Sequence, residues 1–323
     1  MNKLPKIAFS ALLIALSVAS LTVYLSQQPR EFRIRIPPSK GSNSGEYITA
    51  ILNCSLPEVP EEVPVLEVVR HNYSEVEAMA IAREVFDMRG ELNITRDLAS
   101  GTISLMITNG TQSLFLYEDG ALYYIAGSPK HKYDIELPEF SQAKETADEF
   151  VDQFVQKAKS CCLITSFPLM QIKFLSVDFS EWYGEPPQPT TPISIRVGYG
   201  VIHNGTPLIF KGGIGVEIGE DGEILSFRCY WSNIERGRPV SITVSPQQAI
   251  ENMGSYMGVK TSVCEIKSLC INSVTLGYFT PAPPFREDEL LPAYEITFLV
   301  ILKDGSEYDW GTYASATSLS IPW

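Results

Sequence analysis

The chain has 323 residues, 45% hydrophobic and 20% charged, with a formal net charge of −13. That composition is globular and long enough for two or three domains with buried cores. The acidity repels phosphate backbones and argues against nucleic acid as a partner.

The N-terminus stands apart. Lys3 and Lys6 precede IAFSALLIALSVASLTVYL, 19 uncharged residues from Ile7 to Leu25. A run of roughly 18 or more crosses a bilayer. The same pattern describes a secretory signal with cleavage near Ser20. The reading favours residues 1–25 as an uncleaved signal-anchor, with residues 7–25 in the membrane and the C-terminal bulk outside. Secretion after cleavage is the alternative.

Two counts fit export. Five N-x-S/T sequons occur, at Asn53, Asn72, Asn93, Asn109 and Asn204, against about 1.5 expected by chance from the composition. These are the glycosylation candidates. The six cysteines suit an oxidising compartment. Their full pairing has fifteen solutions, and Cys264 to Cys270 is the shortest closure. No C-x-x-C occurs, so zinc-ribbon and thioredoxin-like motifs are missing.

Residues 26–65 are rich in Pro, Gly, Ser and Glu. Proline joins neither a helix interior nor a central strand, so this reads as an extended, mobile stalk. Three helices are predicted beyond it. Ser74 with Glu77 three residues on forms a capping box, and Met79, Ala82 and Phe86 follow on one face. Ser141 opens the second helix, with an apolar stripe of Ala143, Ala147, Phe150, Val151, Phe154 and Ala158. Ser245-Pro246-Gln247-Gln248 opens the third, with proline at the first helical position.

Strand-like alternation follows each helix. FLYEDGALYYI, EIGEDGEILSF and VILKDGSEYDW each place Asp-Gly between two alternating runs, which marks hairpins. The expected fold class is α+β. Three serial modules, 66–140, 141–240 and 241–323, each carry a helix followed by an antiparallel sheet with an Asp-Gly hairpin.

Catalytic motifs do not emerge. His71, His131 and His203 lie far apart without H-E-x-x-H spacing. GGIGVEIG (212–219) has glycines but not G-x-G-x-x-G, and its alternation is that of a strand. Glu220, Asp221 and Glu223 lack the EF-hand spacing. No cofactor and no metal site is expected. The loop after LGYFT is long for a hairpin and carries Phe285, Arg286, Glu287, Asp288 and Glu289. Loops of that length are enriched in binding roles, so these five are the candidate partner-binding residues.

SPQQAIENMGSYMG, VTLGYF, LLPAYEITF and YASATS together resemble the C-terminal repeat of PepSY-like proteins, over about residues 245–318. The likeness is to the extracytoplasmic YycH/YycI regulators and the germination protein YpeB. Ser245, Ala249, Leu276, Gly277, Tyr278, Pro292, Ala293 and Tyr294 carry it. The chain departs at its end, where Ser315-Ala316 stands in place of the family's Asn-Ala or Asp-Ala pair. The resemblance implies a non-catalytic module outside the membrane that binds a membrane or envelope protein. Two other expectations stand beside it: an exported carboxylate-based hydrolase, and a cell-envelope structural or adhesive protein.

Overall fold

The computed structural model describes residues 30–36, 46–97, 104–127, 136–160, 170–182, 191–210, 213–230, 233–255, 266–280 and 288–319. The first elements in chain order are β1 (Arg30–Ile36), β2 (Glu46–Leu52), β3 (Glu62–Val68), α1 (Glu75–Glu84), β4 (Asn93–Asp97), β5 (Ser104–Thr108), β6 (Ser113–Tyr117) and β7 (Leu122–Ile125). Next come α2 (Phe140–Ser160), β8 (Met170–Trp182), β9 (Thr191–His203), β10 (Thr206–Phe210), β11 (Gly213–Ile218), β12 (Ile224–Cys229) and β13 (Ile234–Ser241). Last are α3 (Pro246–Asn252), β14 (Ile266–Thr280), β15 (Glu289–Leu290), β16 (Pro292–Leu302) and β17 (Glu307–Ser315).

This overturns the expected α+β class of three helix-plus-sheet modules. The protein is mostly β. Fourteen of the described strands join one mixed sheet, and β13, β3 and β15 form a second. The boundary drawn at 140/141 cuts through a sheet, because β7 pairs antiparallel with β12, Tyr124 facing Phe227. A hairpin turn fixes only the neighbour that follows it. The far edge of each hairpin still needs a partner, and here it finds one distant in sequence.

The local signals did place their elements. Ser74 accepts from the Glu77 amide at 3.2 Å, and the Glu77 carboxylate takes the Ser74 amide at 2.8 Å, a complete capping box. All three Asp-Gly turns close hairpins in one way. Gly120, Gly222 and Gly305 donate to the carbonyls of Tyr117, Gly219 and Leu302. Tyr117, Gly219 and Leu302 in turn donate to Ala121, Glu223 and Ser306. Only the glycines have positive φ, at 95°, 75° and 89°. These are three-residue loops, a turn followed by a left-handed glycine bulge. The tight two-residue turn lies elsewhere, at Asn204-Gly205, where both φ are positive and His203 faces Thr206.

The chain divides into two compact units. The first comprises residues 1–57, 246–274 and 296–312. In it β1 and β2 pair antiparallel, Ile34 facing Ile48. Much of the Pro/Gly/Ser-rich segment is therefore strand, and YITAIL is β2. Parallel pairing then sets Ala50 beside Leu269 of β14. Ile34, Ala50, Ile250, Met253 and Leu269 are buried. Gly254 packs against the Arg35 carbonyl, where a Cβ has no room.

The second unit comprises residues 58–245, 275–295 and 313–323. One face of its sheet buries Leu122, Tyr124, Ile195, Val197, Tyr199, Ile214, Val216 and Phe227. The predicted stripe of α2 covers that face, with Ala143, Ala147, Val151, Phe154 and Ala158 buried. Phe227 lies 4.6 Å from the Phe154 ring and 5.2 Å from the Phe150 ring. Lys157 Nζ donates to the Val85 carbonyl just beyond α1. Tyr199 donates its hydroxyl to Asp148 at 2.8 Å, and Lys144 pairs with the other Asp148 oxygen. Burial and that carboxylate push the Tyr199 hydroxyl well above the usual phenol range.

No helix among the described residues is long and apolar enough to cross a membrane. The expected anchor, residues 1–25, lies outside the described residues.

Candidate functional site

The opposite face of that sheet carries no helical cover from α2. Strand alternation decides what it presents. On β9 the outward residues are Ser194, Arg196, Gly198 and Gly200. On β11 they are Gly213, Gly215 and Glu217, and on β12 Ser226 and Arg228. Register aligns them into rows. Gly200 faces Gly213, Gly198 faces Gly215, and Arg196 faces Glu217. Gly215 and Glu217 then face Arg228 and Ser226.

Two rows extend further. Ser176 of β8, Gly198, Gly215, Arg228, Tyr123 and Phe115 cross six strands side by side. The adjacent row is Asp178, Arg196, Glu217 and Ser226. Gly198 and Gly215 in the first of these rows, and Gly200 and Gly213 in the row beside it, contribute no side chains to the face, while Ser176 and Leu175 of β8 lean over Gly198 and Gly200. The result is a trough of about 320 Å³, floored by peptide groups. Leu175 borders it on β8, and Arg228 and Tyr230 border it on the other side. Leu208, Ile209 and Glu295 line it as well. All of these residues belong to the second unit.

The polar groups of the trough are held in place. Glu217 accepts from Ser194 at 2.7 Å and from Ser226 at 2.9 Å, one hydroxyl on each carboxylate oxygen. Arg228 stands 3.9 Å from the same carboxylate. Its guanidinium also lies 5.4 Å from the centre of the Tyr123 ring, a cation–π distance. Tyr123 stacks on Phe115 at 6.1 Å. Tyr313 donates to Glu295 at 3.0 Å. Gly215 has nothing within 4 Å of where a Cβ would sit, so the space above it is open. Gly213 differs: a Cβ there would meet the Tyr199 carbonyl at 2.6 Å.

The residues singled out from sequence lie elsewhere. Phe285, Arg286 and Glu287 fall outside the described residues, as do His131 and Cys264. Asp288 and Glu289 root the loop onto the smaller sheet. Arg70 holds Asp288 at 2.8 Å and Glu118 at 2.8 Å, and Arg238 holds Glu289 at 3.1 Å. The Val68 amide adds a bond to the Asp288 carbonyl. Glu223 turns back on its own hairpin, accepting from the Asp221 amide.

Among the described residues Cys54 and Cys270 are half-buried thiols without a disulfide, and Cys229 is buried. The Cys270 sulfur accepts from Asn53 Nδ2 at 2.8 Å. Asn53, Asn72, Asn93 and Asn204 are exposed, while Asn109 is half-buried. The Asn109 side-chain oxygen accepts from Thr111 and Gln112, and its amide donates to the Arg89 carbonyl.

Arg196, Glu217, Arg228 and Tyr123 were not singled out from sequence. The signal was present in two strands: Arg196, Gly198 and Gly200 alternate, as do Gly213, Gly215 and Glu217. Glycine at every second position of neighbouring strands empties one face of a sheet.

No family model matches the chain, and no curated protein matches it. Among solved structures it is similar to an uncharacterized protein from Eubacterium rectale, with 9% identity over 88% of this chain and 92% of that one, at a TM-score of 0.45.

Proposed function

We propose that this is a non-catalytic binding protein, held at the membrane by residues 7–25, whose bulk contacts a membrane or envelope protein outside the cell. The single observation that supports this reading best is the trough. Its glycine floor exposes backbone, Glu217 and Arg228 are engaged by neighbours, and Arg228, Tyr123 and Phe115 continue the row across three strands. Arginine and aromatic residues are the types enriched where proteins recognise proteins. The Glu217 carboxylate is committed to two hydroxyls, which suits shape and charge presentation. The resemblance of residues 245–318 to PepSY-like and YycH/YycI-like regulators points the same way.

The test is a crosslinking pull-down of the full chain from its native membrane, with a Gly215→Trp variant beside it. Tryptophan at 215 fills open space and blocks the floor. Recovery of one membrane or envelope protein by the wild type, lost in the variant, supports the reading. Turnover of a substrate by the protein alone contradicts it.

A further inference from the structure

We infer that two copies of this chain pair through β8, edge to edge and antiparallel, about a two-fold axis. β8 runs for 13 residues and pairs with β9 on one side. Among the described residues no strand pairs with its other side. Such an edge offers a row of backbone donors and acceptors to an incoming strand. Its apolar load is concentrated. Of seven exposed large apolar side chains among the described residues, Phe174, Leu175 and Phe179 lie on β8. A fourth, Phe140, packs on Phe179 at 4.7 Å.

Charge selects the occupant. Residues five apart on an unbroken strand point to opposite faces. Lys173 faces Gly200 and Asp178 faces Arg196, so both lie on the trough face. The one-residue bulge at Leu175, between the Phe174 and Ser176 pairings, makes this possible. Lysines and bulges on an edge often block pairing. Here they make β8 self-complementary. An antiparallel copy in the register that sets Lys173 against Asp178 of the other copy forms that ion pair twice. The same register sets Phe174 against Val177 and Ile172 against Phe179 on the opposite face. Because the axis is perpendicular to the sheet, both troughs open to the same side. A two-fold contact of this kind uses one patch twice and closes on itself.

Sedimentation velocity on the full 323-residue chain in a non-ionic detergent, over a concentration series, tests this. The wild type is expected to dimerise. Lys173→Glu or Asp178→Lys alone sets like charges together twice and weakens association at least about tenfold. A 1:1 mixture of the two single variants restores both opposite-charge pairs and with them the dimer, and so does the double variant. Circular dichroism confirms that each variant is folded. A wild type that stays monomeric throughout overturns the inference. So do single reversals that leave association unchanged, and a mixture of folded variants that fails to associate. A monomeric chain whose β8 pairs with a strand of another protein overturns it equally.

Discussion

Gly198 and Gly215 face one another across β9 and β11, with Arg228 next in the row. Two glycines abreast leave a gap in the middle of a sheet that is otherwise filled with side chains. Glycine inside a strand costs packing and entropy, and that cost is concentrated at this gap. The two glycine positions of β11 should respond differently to a side chain. Gly215→Ala is expected to be neutral or slightly stabilising. Gly213→Ala, which drives a Cβ toward the Tyr199 carbonyl, should cost about 1–3 kcal/mol by overpacking. Thermal melts of the two variants check this.

Glu217 is the polar anchor of the trough. Ser194 and Ser226 are buried, and their hydroxyls depend on its carboxylate. Glu217→Ala leaves both without that acceptor and should cost about 1–3 kcal/mol per stranded hydroxyl. A double-mutant cycle with Ser194→Ala, read by denaturant unfolding, should show the losses to be non-additive.

The two ion pairs of Arg70 should differ in worth. The Asp288 side chain is 85% exposed and that of Glu118 13%. Exposed pairs contribute at most about 1 kcal/mol, so Asp288→Ala should barely move the melting temperature. Glu118→Ala should lower it clearly, since it removes the more buried carboxylate and leaves Arg70 with only its exposed partner Asp288 of the two. Comparing both with Arg70→Ala separates the two contributions.

These side chains also show what the sequence conveys. Ser74 with Glu77, and the stripe from Ala143 to Ala158, are local patterns whose meaning is set within a few residues. Each produced the expected helix. The glycines of the three Asp-Gly turns were legible for the same reason. Tyr124 facing Phe227, or Ala50 beside Leu269, depends on pairing between strands far apart in the chain, and no local residue records it. The trough lies between these cases. Its alternating glycines are local, but they make a floor only because β9 and β11 align Gly200 with Gly213.

Acid should weaken the fold through His203. The ring is buried and its Nδ1 has no partner among the described residues. Burial holds it below its ordinary pKa of 6.5. The unfolded chain therefore takes up the proton first as pH falls. The contribution is full above about pH 6.5 and is lost as pH drops through the window below it. Melting temperatures at pH 7.5 and 5.0 should fall further for the wild type than for His203→Phe.

The aromatic core is a separate check on the fold. Phe227 is fully buried among Phe86, Phe150 and Phe154. Phe227→Ala should cost about 3–5 kcal/mol, which chemical denaturation would measure directly.

The central claim is that the glycine-floored face meets the partner. A photo-crosslinking residue placed at Gly215 in the full chain, irradiated in its native membrane, tests it most directly. The same residue at Val76 on α1, 80% exposed in the same unit, is the control. A single discrete protein adduct from position 215 and none from position 76 is the result expected. Adducts from 76 alone, or equally from both, would contradict the claim.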